Sequence, residues 1–156
     1  MPDPSGVPEP PHEQQEGPGL LASISRQMVQ AMKKFYGKGP VRAKSYLVDD
    51  LLFVVMRGGT TTAEKTMLEA DRADAVREFR QQFENEMAER LIGTIEQLTG
   101  RKVLTYQSQV LFDPDIALEI FVFDEPVPEA AQRETAEALL NPEKVGVEIQ
   151  GETEGS

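Results

Sequence analysis

Apolar side chains at Leu21, Ile24, Met28, Ala31 and Phe35 recur every three or four residues and predict a helix over 20–36. Lys33 and Lys34 fall in its last turns, where positive charge complements the helix dipole. Gly37 offers a left-handed stop, and Gly39-Pro40 forces the chain out of helix. Two runs rich in β-branched and aromatic residues follow, "VRAKSYLV" and "LLFVVMR", parted by Asp49-Asp50, and they predict a hairpin. In the first run Arg42, Lys44 and Tyr46 alternate with Val41, Ala43, Ser45 and Leu47. The second is apolar on both faces from Leu51 to Met56. That pattern suits a strand covered on both sides, or one whose outer face meets another subunit.

Thr61 and Glu64 stand at capping-box spacing and predict a short helix over 62–69. A long helix is expected over 72–98, with Asp71 as N-cap and Val76, Phe79, Phe83, Met87, Leu91, Ile95 and Leu98 as its apolar stripe. Glu84, Glu86 and Glu89 are assigned to its solvated face. A second hairpin then turns at Asp113-Pro114-Asp115. Its outgoing strand places Leu104, Tyr106, Ser108, Val110 and Phe112 on one face, with Thr105, Gln107 and Gln109 opposite. Its return strand presents Ile116, Leu118, Ile120 and Val122, with Glu119 on the reverse between Ala117 and Phe121. The order α-β-β-α-β-β predicts an α+β fold: a four-stranded, mainly antiparallel sheet with helices packed on one face. Beyond Pro126 the pattern weakens to a short helix at 129–140, using Ala131, Ala138, Leu139 and Leu140, and an edge strand at 145–149.

Charge divides the chain in the same way. Of 156 residues, the first 19 carry four acids and no basic side chain, and residues 124–156 carry nine acids against Arg133 and Lys144. Residues 20–123 carry 14 acids and 14 bases. The net charge of -11 therefore belongs to the two ends, and it argues against general affinity for nucleic acid or an anionic membrane surface. The Pro/Glu-rich opening, residues 1–19, is expected to be a disordered arm. Residues 20–125 form the domain, and 126–156 form an acidic extension. No signal peptide and no membrane span is expected, which makes cytoplasmic residence the default.

The runs "YGKGP", "LLFVVMRGGTTTAEKTML" and "LTGRKVLTYQSQVLFDPDIALEIFVFDEP" together resemble the MpsC-like domain family, over roughly residues 20–125. The recurring features stand here as Gly37, Gly39 and Pro40, then Gly59, Thr61 and Glu64, then Arg77, then Thr99-Gly100-Arg101-Lys102-Val103. The chain departs from the pattern at Thr60, where a leucine often precedes the threonine, and at Gln109, where an aspartate often follows the serine. The family takes its name from a sodium-translocating, membrane-potential-generating system. The resemblance thus implies an accessory role beside a sodium- or bicarbonate-linked transport system, and supplies no catalytic mechanism.

Two groups stand out as candidate sites. Lys33, Lys34, Lys38, Arg42 and Lys44 fall within twelve residues around the loop Gly37-Lys38-Gly39, with Tyr46 beside them, and could hold an anion or an acidic partner. Their ordinary alternative is a helix C-cap followed by a solvated strand face. The loop carrying Gly58, Gly59, Thr61, Thr62 and Glu64 could present backbone donors to a ligand, with Arg77 or Arg101 reaching the same place. Its ordinary role is to cap the helix that follows. Asp49-Asp50 and Asp113/Asp115 read as turn formers, since calcium needs about six oxygen ligands. His12 is the single histidine and cysteine is absent, so no zinc site, thiolate nucleophile or cofactor is expected. No nucleophile has an evident base, and a non-enzymatic accessory or regulatory protein is the leading expectation. A small-molecule or anion sensor is the alternative. Self-association as a homodimer and peripheral docking on a membrane-protein partner are both expected, without nucleic acid and without membrane insertion.

Overall fold

The computed structural model describes residues 19–140 and 147–148. Residues 1–18 of the expected disordered arm and residues 141–146 and 149–156 of the acidic extension lie outside the described residues, and with them most of the predicted strand at 145–149. Four helices and five strands are present among the described residues: α1 (Leu20–Tyr36), β1 (Arg42–Val48), β2 (Leu51–Arg57), α2 (Thr62–Glu69), α3 (Ala73–Thr99), β3 (Val103–Phe112), β4 (Asp115–Phe123), α4 (Glu129–Leu140) and β5 (Val147–Glu148). Every strand pairing is antiparallel, in the order β3-β4-β2-β1-β5. The four long strands are the predicted sheet. β5 adds a two-residue edge on Arg42 and Ala43.

Leu21, Ile24 and Met28 of α1 are fully buried against Leu47, Leu52, Val54 and Phe121, with Leu91 and Ile95 of α3 in the same cluster. Burying side chains of this size stabilises the fold by roughly 1.5–3 kcal/mol each. A hydroxyl pair, Ser25 with Ser45 at 2.7 Å, ties α1 to β1 inside this layer. The α4 helix lies along the otherwise open edge of β1, where the Leu47 N–H donates to Thr135 Oγ1 at 2.8 Å. An edge strand left with unpaired backbone groups invites unwanted pairing, and α4 removes part of that edge. The helix is anchored by Val127, Ala131 and Thr135. Leu139 and Leu140, expected to anchor it, are exposed.

Three further expectations are corrected by the packing. Arg72, not Asp71, occupies the position before α3 and makes no side-chain cap. Asp71 instead adopts φ 59° and closes the end of α2, its N–H bonded to Leu68 O. A register shift between Val103 and Thr105 rotates the start of β3, so Val103 is buried and Leu104 points to solvent. In β4 the face turned to the helices is Ala117, Glu119, Phe121 and Phe123, while Ile116, Leu118, Ile120 and Val122 lie on the other side, half-buried.

That second face is continuous. Phe53 of β2 pairs with Tyr46 on one side and Ile120 on the other, and Val55 pairs with Lys44 and Leu118. The central strand β2 is therefore covered on one side only, by the helices that pack over Leu52, Val54 and Met56.

Candidate functional site

The loop between β2 and α2 is held from every direction by side chains distant in sequence. Gly58 N–H donates to Asp115 O at 3.2 Å and Thr60 N–H to Asp115 Oδ2 at 3.0 Å. Lys38 Nζ donates to Thr60 O at 3.1 Å, and Arg80 Nη2 to Gly59 O at 3.3 Å. The capping box forms as predicted: Glu64 N–H donates to Thr61 Oγ1, and Thr61 N–H donates to Glu64 Oε1. Thr62 begins α2 and its carbonyl accepts from Thr66 Oγ1. The backbone N–H donors that could have bound an anion at Gly58, Thr60 and Thr61 are thus engaged within the protein.

Glu64 does more than cap. Its carboxylate accepts from Arg80 Nε at 2.6 Å and Nη2 at 2.9 Å, from Thr61 Oγ1, and from the Tyr36 hydroxyl. The Arg80 guanidinium lies 4.4 Å from the centre of the Tyr36 ring. Arg77 and Arg101, the two arginines considered for this loop, go elsewhere. Arg77 Nη1 donates to Val110 O and its guanidinium stacks on Phe112, while Arg101 meets Glu125. The arginine that reaches the loop is Arg80. Its position four residues after Val76 and four before Glu84 places it on the buried side of α3.

One turn on from Arg80, a second polar cluster is enclosed between α3 and the sheet. Glu84, assigned to solvent from sequence, is buried because its position shares the side of α3 that carries Val76, Arg80, Met87 and Leu91. Glu119, 1% exposed, accepts from Ser108 Oγ at 2.9 Å and from the Tyr106 hydroxyl. Burial raises the Glu119 carboxyl to about 7, with the neighbouring Glu84 charge adding to the shift and the Tyr106 and Ser108 hydrogen bonds opposing it. Burial likewise raises Glu84, against its bond to Ser108 and the attraction of Arg80. The Tyr106 hydroxyl is raised by the same desolvation and by the carboxylate it faces, so it stays a donor.

Above the Glu64–Arg80 pair the surface opens into an apolar groove of about 510 Å³ between α1, α2 and α3. Tyr36 packs on Phe83 edge-to-face with centroids 4.8 Å apart, and Phe79 leans on both rings at 6.2 and 6.4 Å. Val76 and Ala63 complete the walls, while Phe35, Met67 and Phe79 are exposed along the rim, Phe79 by 56%. The exposure of Phe79 departs from the predicted stripe: Arg80 takes the inward position, and its neighbour faces the groove. Polar groups at the base are Thr61 and Glu64, both already hydrogen-bonded, so the groove offers mainly shape and apolar contact.

The basic group splits. Arg42, Lys44 and Tyr46 remain together on the outer face of β1 and, with Val55 and Arg57 of β2, line a shallow hollow of about 310 Å³. Arg57 was not among the predicted residues, although a two-residue turn at 49–50 places it directly opposite Arg42. Lys38 turns inward to Thr60, Lys33 packs its Cβ near Gly39, and Lys34 sits over the Phe35 ring at 5.0 Å. Among the described residues, no group of three or more His, Cys, Asp or Glu side chains is arranged to hold a metal ion.

A sheet carrying its helices on one face, with buried polar clusters between them and two open apolar surfaces, defines a one-sided α+β domain. The sequence model of the family described as the Na+-translocating membrane potential-generating system (MpsC) matches residues 19–125. The chain belongs to the MpsC family. Searches of curated proteins and of solved structures found no match.

Proposed function

We propose that this chain is a non-enzymatic accessory protein of a sodium-translocating, membrane-potential-generating system, and that it holds an apolar helical segment of a membrane protein of that system in the groove between α1, α2 and α3. The groove carries the reading. Its walls are aromatic, its rim side chains Phe35, Met67 and Phe79 are exposed, and its base is fixed by the Glu64–Arg80–Tyr36 bonds. Recognition of an amphipathic helix uses this chemistry: apolar anchors at helical spacing enter a preformed groove. The family description supplies the kind of system. No helix among the described residues is long and apolar enough to cross a membrane, so action on such a system would run through a protein contact. The chain then works peripherally, at the cytoplasmic face.

The test places a photo-crosslinking residue at Met67 of the full chain in its native cells. Expected is a crosslink to a multi-span ion-transport protein that disappears with Phe79→Asp, together with a lower sodium-dependent membrane potential in the Phe79→Asp strain. Crosslinks confined to soluble proteins, or unchanged by Phe79→Asp, overturn the reading.

The size of the groove favours a second reading, since sites for small molecules commonly span about 300–1,000 Å³. A sensor of an apolar metabolite would use the same walls. A compound that raises the melting temperature in a saturable way in the wild type, and not in Phe79→Asp, would favour that reading.

A further inference from the structure

The face of the sheet opposite the helices offers a different surface, remote from the groove. Its centre is apolar: Phe53 and Val55 of β2 lie beside Leu118, Ile120 and Val122 of β4, all half-buried, with Tyr46 of β1 alongside. Its charges are distributed unevenly. Arg42, Lys44 and Arg57 gather at one end of the β1–β2 hairpin, and Asp49-Asp50 form the turn at its other end. Seven residues of strand separate the two ends, roughly 23 Å.

We propose that this face packs against the same face of a second copy of the chain. Sheets stacked face to face sit about 10 Å apart with their strands nearly aligned. Take a two-fold axis that lies between the sheets and runs across the strands. It reverses strand direction while setting each strand over its own counterpart. The axis then passes beside Ser45 and Val54, the midpoints of β1 and β2. Phe53 and Val55 of both copies meet around it, and each Lys44 lies over the second copy's Tyr46, an ammonium against an aromatic ring. Arg42 and Arg57 of each copy come over the second copy's Asp49 and Asp50. One operation therefore covers the apolar centre and neutralises both charged ends. Residues 20–123, which supply this face, carry equal numbers of acidic and basic side chains, and the chain's net charge of -11 lies outside them. An apolar outer face also explains why β2 lacks the alternation of a half-buried strand, because both its faces lose water once the dimer forms.

Sedimentation equilibrium of the full chain tests this. The wild type is expected at twice 17.3 kDa in the micromolar range. Phe53→Glu is expected as a folded monomer by circular dichroism. A charge exchange keeps the test independent of that variant. Arg57→Asp and, separately, Asp50→Lys each set like charges over one another in both halves of the dimer, so each alone is expected to dimerise at least tenfold more weakly. Mixed together they restore opposite charges at both ends, and a heterodimer of near wild-type affinity is expected. A wild type that stays monomeric up to high micromolar concentration overturns the proposal. So does a dimer insensitive to these substitutions, or a mixture that gains nothing over its components.

Discussion

Arg80 and Glu64 meet side-on inside the protein, Nε to Oε2 at 2.6 Å and Nη2 to Oε1 at 2.9 Å, with 3% and 6% of their surfaces exposed. This pair joins α3 to the start of α2 and fixes the base of the groove. Two desolvated charges are tolerable because every lone pair of the carboxylate is used, by Arg80, Thr61 and Tyr36.

Removing one partner should therefore cost far more than removing both. Arg80→Met leaves the Glu64 charge buried and without its cation, and a loss of about 3–5 kcal/mol is expected. Arg80→Met combined with Glu64→Leu should lose clearly less than the sum of the single changes. Urea unfolding of the three variants and the wild type closes the cycle, and strict additivity would show that the two side chains act independently.

Stability should fall as pH rises from weakly acidic to neutral. In the unfolded chain the Glu119 carboxyl titrates near its ordinary 4.5, and in the fold it is pushed up to about 7. The folded state thus holds the proton more tightly. The stabilisation is whole below about 4.5 and is lost as pH climbs through about 7. Glu134, which is buried beside the start of α1 and accepts from the Leu21 N–H, is also raised to about 7 and acts in the same direction. Glu119→Gln keeps the polar contacts to Tyr106 and Ser108 without a charge. It should flatten the decline between pH 5 and pH 8 and exceed the wild type at pH 8, as read by unfolding midpoints across that range. An unchanged pH profile would assign the decline to other groups.

Two glycines with left-handed backbone should respond differently to alanine. Gly58 has φ 76°, and a Cβ there would lie 2.5 Å from Val41 Cγ2; Gly37 has φ 91° and open space around it. Gly37→Ala should cost about 1 kcal/mol, the conformational penalty alone. Gly58→Ala adds a collision with a branched side chain and should cost about 1–2 kcal/mol more. Val41→Ala placed in the Gly58→Ala background should recover that excess. Equal melting temperatures for the two single variants would contradict this account.

Much of the candidate site was legible in part. The Thr61–Glu64 capping box follows from spacing, because a helix start needs local partners for its first N–H groups. The juxtaposition of Arg42 with Arg57 follows from counting back from the turn. What helical spacing misjudged was which side of a charged amphipathic helix faces inward. Along α3, Phe79 and Arg80 are adjacent, as are Phe83 and Glu84, and an apolar-in rule selects the aromatic of each pair. The protein buries Arg80 and Glu84 instead, because Glu64 awaits Arg80 there, and Ser108 and the Arg80 charge offset the burial of Glu84. The aromatic partners are left to build the groove.

The sequence by itself determined the elements, their order and the hairpin register, since these depend on contacts within a few residues: periodic apolar positions, caps, and tight turns. Only the tertiary structure decided which face of each element met the core. It drew Arg80 and Glu84 inward, bulged β3 so that Leu104 pointed out, and left Ile116, Leu118, Ile120 and Val122 on an open face. Those choices depend on partners 16 to 55 residues away, as between Arg80 and Glu64 or Thr60 and Asp115, and no local pattern carries that information.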